Sequence, residues 1–178
     1  MRVLSGSSER ERALRDSFFE LFKVCPIPSE EVLQNLGLFL SRQTLSRILF
    51  MHELYLKILD VHGIIIEFGV RWGQNLALFA SFRGIYEPYN YSRKIVGFDT
   101  FEGYPSTSLD AKDGRSEVLV PGAYSVIEGY EEYLRRILDY HEQESPISHI
   151  KKYELVKGDA TVTIHKYLEE NPETIIAL

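Results

Sequence analysis

The chain has 178 residues, 44% of them hydrophobic and 12% aromatic, and a formal net charge of −6, enough for one hydrophobic core and too acidic to present the basic face that nucleic acid or an anionic membrane surface requires. Its single cysteine, Cys25, rules out an intrachain disulfide framework. With no apolar run of signal-peptide or membrane-spanning length, the expectation is a soluble cytoplasmic protein.

Ser8 to Val24 is predicted as a helix, with Leu14, Phe18, Leu21 and Phe22 at helical spacing and Pro26 and Pro28 beyond its end. Ser29 is expected to cap a second helix, where Glu30 and Glu31 suit the positive end and Leu33, Leu36 and Leu40 form a stripe. A third helix is predicted from Arg42 to Val61, and its broad stripe of Leu45, Ile48, Leu49, Leu56 and Leu59 predicts burial on more than one side. Cys25, between a helix and two prolines, reads as a buried small hydrophobe. Residues 1–62 are thus an N-terminal helical region.

The pattern changes at Gly63. Ile64 to Ile66 is a β-branched run without alternation, the signature of a strand buried on both faces of a parallel sheet. A glycine-bearing turn, a helix from Gly73 to Phe82 and a second strand from Arg93 to Phe98 complete a βαβ unit. Gly103 to Ser125 is a long loop rich in Gly, Pro, Ser and Asp, a candidate lid. A helix from Ile127 to Glu144 follows, its solvated face carrying a Glu132–Arg136 pair. Next come a strand from Tyr153 to Lys157, a helix from Ile164 to Asn171 and, from Thr174, the opening of a fourth strand. The fold class is α/β, a Rossmann-like sheet spanning residues 63–178 behind a helical extension. The chain is expected to stop within the fourth strand, as the N-terminal portion of a longer protein.

Three turns carry candidate chemistry. The first is Glu67 to Asn75 (EFGVRWGQN), where a buried strand meets a helix, the place at which open α/β sheets bind ligands. Gly69 permits a tight turn and Gly73 close contact at the helix start, with Phe68 and Asn75 inside the same cradle. A dinucleotide would favour G-x-G-x-x-G. Here the spacing is G-x-x-x-G, Arg71 fills the middle glycine position, and Glu67 would repel a pyrophosphate. S-adenosylmethionine has no phosphate but carries an ammonium and a sulfonium, which favour a carboxylate. The second turn, Ile95 to Pro105 (IVGFDTFEGYP), places Asp99 where a carboxylate accepts both hydroxyls of a ribose, with Thr100 and Phe101 beside the adenine. Alternatively, Asp99 only caps its turn. The third, Lys157 to Thr161 (KGDAT), offers Asp159 to an adenine amino group and the Ala160 N–H to a ring nitrogen.

In this order EFGVRWGQN, GFDTFEGYP, PGAYSV and GDATVTIHKYLEENP resemble the macrocin O-methyltransferase family, from about Gly63 to Leu178. The most specific string is GFDTFEGYP. The resemblance implies a class I methyltransferase sheet, S-adenosylmethionine at the turns named above, and methylation of a sugar hydroxyl on a glycosylated antibiotic. It also implies a divalent metal, usually magnesium, held by aspartates at and beyond the fourth strand. Metal ligands and catalytic base are therefore expected beyond Leu178. The expected partner is a small-molecule glycoside, and a homo-oligomer is expected. Two other readings stay open: an NAD-dependent oxidoreductase or epimerase on a similar sheet, and a non-catalytic nucleoside-binding domain. His52, His62, His141, His149 and His165 lack metal-ligand spacing.

Overall fold

The computed structural model describes residues 7–104 and 122–178. The described residues divide into two compact units, one of residues 7–47 and one of residues 48–104 and 122–178.

In the first unit, helix α1 (Glu9–Lys23) starts with a capping box. The Glu11 N–H donates to Ser8 Oγ, and Glu11 Oε2 accepts the Ser8 N–H at 2.9 Å. Phe22 packs edge-on against Phe39 at 4.9 Å. The second helix departs from expectation. Helix α2 (Ser29–Val32) is one turn, Ser29 is its first helical residue rather than its cap, and Leu33–Phe39 continues as 3₁₀. Asn35 is the cause: its Nδ2 donates to Glu31 O at 3.0 Å and its backbone leaves the helical region at φ −110°. A side-chain bond of this kind replaces the backbone ladder. Cys25 is partly exposed rather than buried.

Helix α3 (Arg42–Lys57) ends a turn before Val61. The Ile58 carbonyl, which would continue the turn, accepts from Arg93 Nη2 at 2.8 Å and from the Val61 N–H at 3.0 Å. Tyr55 is its one buried residue, so the broad stripe does not mean burial on several sides; Leu49 and Leu56 are exposed.

The second unit is built on a parallel sheet. Strands β1 (Ile65–Phe68), β2 (Ile95–Asp99) and β3 (Tyr153–Lys157) lie in that order, with Ile65 opposite Ile95 and Ile95 opposite Tyr153. On the other side of β1, Ile64 pairs in parallel with Ile176. The Ile64 N–H donates to Ile175 O and the Ile66 N–H to Leu178 O, both at 2.8 Å. The spatial order is β3, β2, β1, then the segment Thr174–Leu178. The chain reverses direction across the sheet beside β1, which creates a switch point at the carboxyl ends of the strands.

Helices cover both faces. Helix α4 (Gln74–Tyr86) and helix α5 (Tyr130–Gln143) pack Leu76, Phe79, Leu134 and Leu138 against Ile65, Ile95 and Leu155. Helix α6 (Ala160–Glu170) packs Tyr167 against Val96 and Phe98 on the opposite face. Burial on both faces explains why Ile64 to Ile66 reads as an unbroken apolar run, whereas β3 leaves Glu154 exposed. Helix α6 starts four residues earlier than its apolar pattern suggests, because Asp159 caps it. On α5 the ion pair is Glu131–Arg135 at 2.6 Å, not Glu132–Arg136.

The far pole of the sheet is locked by buried charges. Glu142 binds the Arg83 guanidinium and, at 2.7 Å, Lys152 Nζ; all three side chains are buried. Arg93 donates to Gly63 O at 2.6 Å and pairs with Glu87 at 3.0 Å, while the Tyr55 hydroxyl donates to Glu87 at 2.5 Å. Burial and the Glu87 carboxylate together push the Tyr55 hydroxyl far above its ordinary range. Among the described residues no helix is long and apolar enough to cross a membrane.

Candidate functional site

The β1–α4 turn is built by backbone rather than side-chain chemistry. Gly69 (φ 77°), Arg71 (φ 51°) and Gly73 (φ 75°) all take the left-handed conformation. The two glycines serve different ends. A Cβ on Gly69 would meet no atom within 4 Å, so the residue faces open space. A Cβ on Gly73 would lie 2.8 Å from Leu134 Cδ2, so the missing side chain admits α5 against the turn. Glu67 Oε1 accepts from Nδ2 of the buried Asn75 at 2.6 Å, which fixes the acid beside the first turn of α4.

At the end of β2, Asp99 joins two turns. Its Oδ2 accepts the Arg71 N–H and its Oδ1 accepts the Phe101 N–H, each at 2.6 Å. Thr100 Oγ1 accepts the Glu102 N–H at 3.2 Å and donates to Gly103 O at 3.3 Å. Phe101 is held at φ 60° with its ring buried in the core. The Tyr104 N–H donates to Ala123 O at 3.0 Å, and the Gly122 N–H to Tyr104 O at 2.8 Å, which brings Tyr124 over the turn. The proposed lid lies for the most part in 105–121, outside the described residues.

At the end of β3, Asp159 caps α6 and accepts from the Thr161 hydroxyl at 2.7 Å and the Thr161 N–H at 2.9 Å. The hydroxyl, then the backbone bond, hold its carboxyl below the ordinary carboxylate range.

These three strand ends enclose an open cavity of about 540 Å³. Of the residues expected from sequence, Phe68, Gly69, Asp99, Thr100, Asp159 and Ala160 line it. Glu67, Gly73, Asn75 and Phe101 stand behind it: the acid and amide bonded to each other, the glycine under Leu134, the ring in the core. The walls also contain Arg71, Tyr104 and Tyr124. The sequence marks Arg71 only as a departure from the dinucleotide pattern, and it places Tyr104 and Tyr124 in the candidate lid and the motifs GFDTFEGYP and PGAYSV without giving either a role. Arg71, Phe101 and Tyr124 are the three non-glycine residues with positive φ among the described residues, and all sit in the turns around this cavity. Strained backbone collects where the surrounding structure must hold a ligand-facing geometry. Among the described residues no group of three or more His, Cys, Asp or Glu could hold a metal ion. The family resemblance places the magnesium ligands beyond Leu178.

A Rossmann-like parallel sheet in this order, with its cavity at the carboxyl ends of β1, β2 and β3, defines a class I methyltransferase fold. Two solved structures share it. The crystal structure of CalS11, calicheamicin methyltransferase, superposes with a TM-score of 0.91 at 41% identity, covering 99% of this chain and 69% of that one. The apo structure of CalS11, TDP-rhamnose 3'-O-methyltransferase, an enzyme in calicheamicin biosynthesis, has a TM-score of 0.80 at 40% identity, covering 97% and 66%. The chain belongs to the sugar O-methyltransferase family these structures represent. It spans about two thirds of their length. No protein-family model and no curated protein matches the chain.

Proposed function

We propose that this chain binds the methyl donor of an S-adenosylmethionine-dependent O-methyltransferase that acts on a sugar hydroxyl of a glycosylated natural product in antibiotic biosynthesis, within the macrocin O-methyltransferase group. The observation that carries the reading is the position of Asp99. Its carboxylate closes the floor of the cavity between the ends of β1 and β3, and each oxygen has one backbone donor and a further lone pair. That leaves it able to accept from both hydroxyls of a ribose.

The other residues fit the same ligand. Asp159 and the Ala160 N–H, at the head of α6, suit an adenine edge. Gly69 leaves room for a close backbone approach, and the acids Glu67, Asp99 and Asp159 favour a cationic donor over a pyrophosphate. S-adenosylmethionine supplies an activated methyl group on its sulfonium. The residues of this chain hold and orient it, so that an acceptor oxygen can meet the methyl carbon in line with the departing sulfur. The acceptor's proton goes to a base that these donor-binding residues do not include. The name of CalS11, a TDP-rhamnose 3'-O-methyltransferase, supports a deoxysugar hydroxyl as acceptor. The exposed Leu14, Leu21 and Leu33 of the N-terminal unit support a homo-oligomer.

Calorimetry with S-adenosylhomocysteine and NAD in parallel tests the reading. Saturable binding of the first and none of the second is expected; binding of NAD alone would return the chain to the oxidoreductase class.

A further inference from the structure

We infer that Arg71 is the anion-recognition residue of the cavity and takes the carboxylate at the amino-acid end of the methyl donor. The inference rests on the donor reading above and names a subsite that reading leaves unassigned. With the ribose on Asp99 at the end of β2 and the adenine beside Asp159 at the end of β3, the ligand runs across the strand ends toward β1. Its amino-acid end then meets the β1–α4 turn. That end is a zwitterion: its ammonium suits an acid, and its carboxylate requires a cation.

Among the charged side chains lining the cavity, Asp99 and Asp159 are acidic and Arg71 is basic. Arg71 forms no ion pair with a described residue, although Asp99 takes its backbone N–H. Its guanidinium is held instead by aromatic faces, 4.9 Å from the ring centroid of Tyr124 and 5.6 Å from that of Trp72. Stacking of this kind holds a planar cation in place while its donor edges stay available. Nε is buried and lacks a hydrogen-bond partner among the described residues. A donor in that condition gains from an incoming carboxylate more than a solvated one would. The support is itself braced: the Tyr130 hydroxyl donates to Trp72 O at 3.0 Å, and the two rings meet edge-on at 4.8 Å. The φ of 51° at Arg71, pinned by Asp99, sets the direction in which the side chain leaves the turn.

The test compares S-adenosylhomocysteine with 5'-methylthioadenosine, which keeps the nucleoside and lacks the amino acid. Calorimetry is run on the 178-residue chain, with far-UV circular dichroism to verify folding. Arg71→Gln keeps the backbone strain and removes the charge. It is expected to weaken S-adenosylhomocysteine about tenfold and leave methylthioadenosine unchanged. Arg71→Lys should lie between, and Tyr124→Leu should give a smaller loss with the same selectivity. Equal weakening of both ligands, or of neither, would overturn the assignment while leaving the donor site intact. A selective loss of thymidine diphosphate binding would also overturn it, because the anion would then belong to a phosphorylated acceptor. If the unaltered chain binds neither nucleoside, the donor reading fails first and this inference falls with it.

Discussion

The Arg71 backbone N–H donates to Asp99 Oδ2 at 2.6 Å, so the end of β2 fastens the turn that follows β1. Asp99 therefore supports the fold as well as facing the cavity. Asp99→Ala is expected to cost about 2 kcal/mol of S-adenosylhomocysteine affinity through lost charge-assisted bonds. It should also cost about 1–2 kcal/mol of stability, since two backbone donors lose their acceptor. Calorimetry and urea unfolding read the two effects separately. Asp99→Asn, which keeps one oxygen, should fall between; a fully stable Asp99→Ala would show that the turn holds without it.

The two glycines of the first turn should separate packing from binding. In Gly73→Ala the new methyl meets Leu134 at a position already requiring positive φ. A loss of about 2–4 kcal/mol of stability is expected. Gly69→Ala meets no atom and should cost about 1 kcal/mol from φ alone, while weakening S-adenosylhomocysteine by occupying the wall of the cavity. Thermal unfolding and ligand titration of the pair would refute this if both variants lost stability alike.

Glu142 lies between Arg83 and Lys152, with all three side chains buried. Glu142→Ala leaves two buried cations without their counter-charge and is expected to destabilise the chain by about 3–5 kcal/mol. Because this cluster lies at the amino ends of the strands, any material that folds should bind S-adenosylhomocysteine normally. Chemical denaturation measures the first effect and titration the second.

Burial lowers the His141 pKa from its ordinary value of 6.5; the Glu144 carboxylate opposes this, Arg83 adds to it, and Glu142 opposes it least. The folded state then resists a proton that the unfolded state accepts. Stability is therefore unaffected by this group above pH 6.5 and falls as pH drops below it, until the depressed folded pKa is passed. His141→Gln should flatten that part of the profile. An unchanged slope between about pH 6.5 and 5, measured by urea unfolding, would assign the acid sensitivity elsewhere.

The family resemblance places the ligands of the divalent metal beyond Leu178, so the S-adenosylhomocysteine affinity of residues 1–178 should be the same with magnesium and with EDTA. A severalfold loss in EDTA, read by calorimetry, would place an ion in or beside the donor cavity.

Much of this protein was legible in its sequence. Local rules sufficed where one residue dictates its surroundings: the β-branched run Ile64 to Ile66 marked a strand buried on both sides, Gly69 marked the turn, and Tyr153 to Lys157 was read to the residue. The motif GFDTFEGYP identified the sheet and the turn at Asp99, because a carboxylate directly after a buried strand has few places to go. Tertiary structure decided what depended on distant partners. Arg93, thirty-five residues away, takes the carbonyl that would have prolonged α3. Leu134 is the distant partner in the close contact that the sequence places at Gly73. Tyr124, fifty-three residues further along the chain, stacks on the Arg71 guanidinium in the cavity wall. Periodicity and turn chemistry report on neighbours along the chain; which faces meet, and which charges are left to face a ligand, is settled by contacts between segments that sequence spacing does not encode.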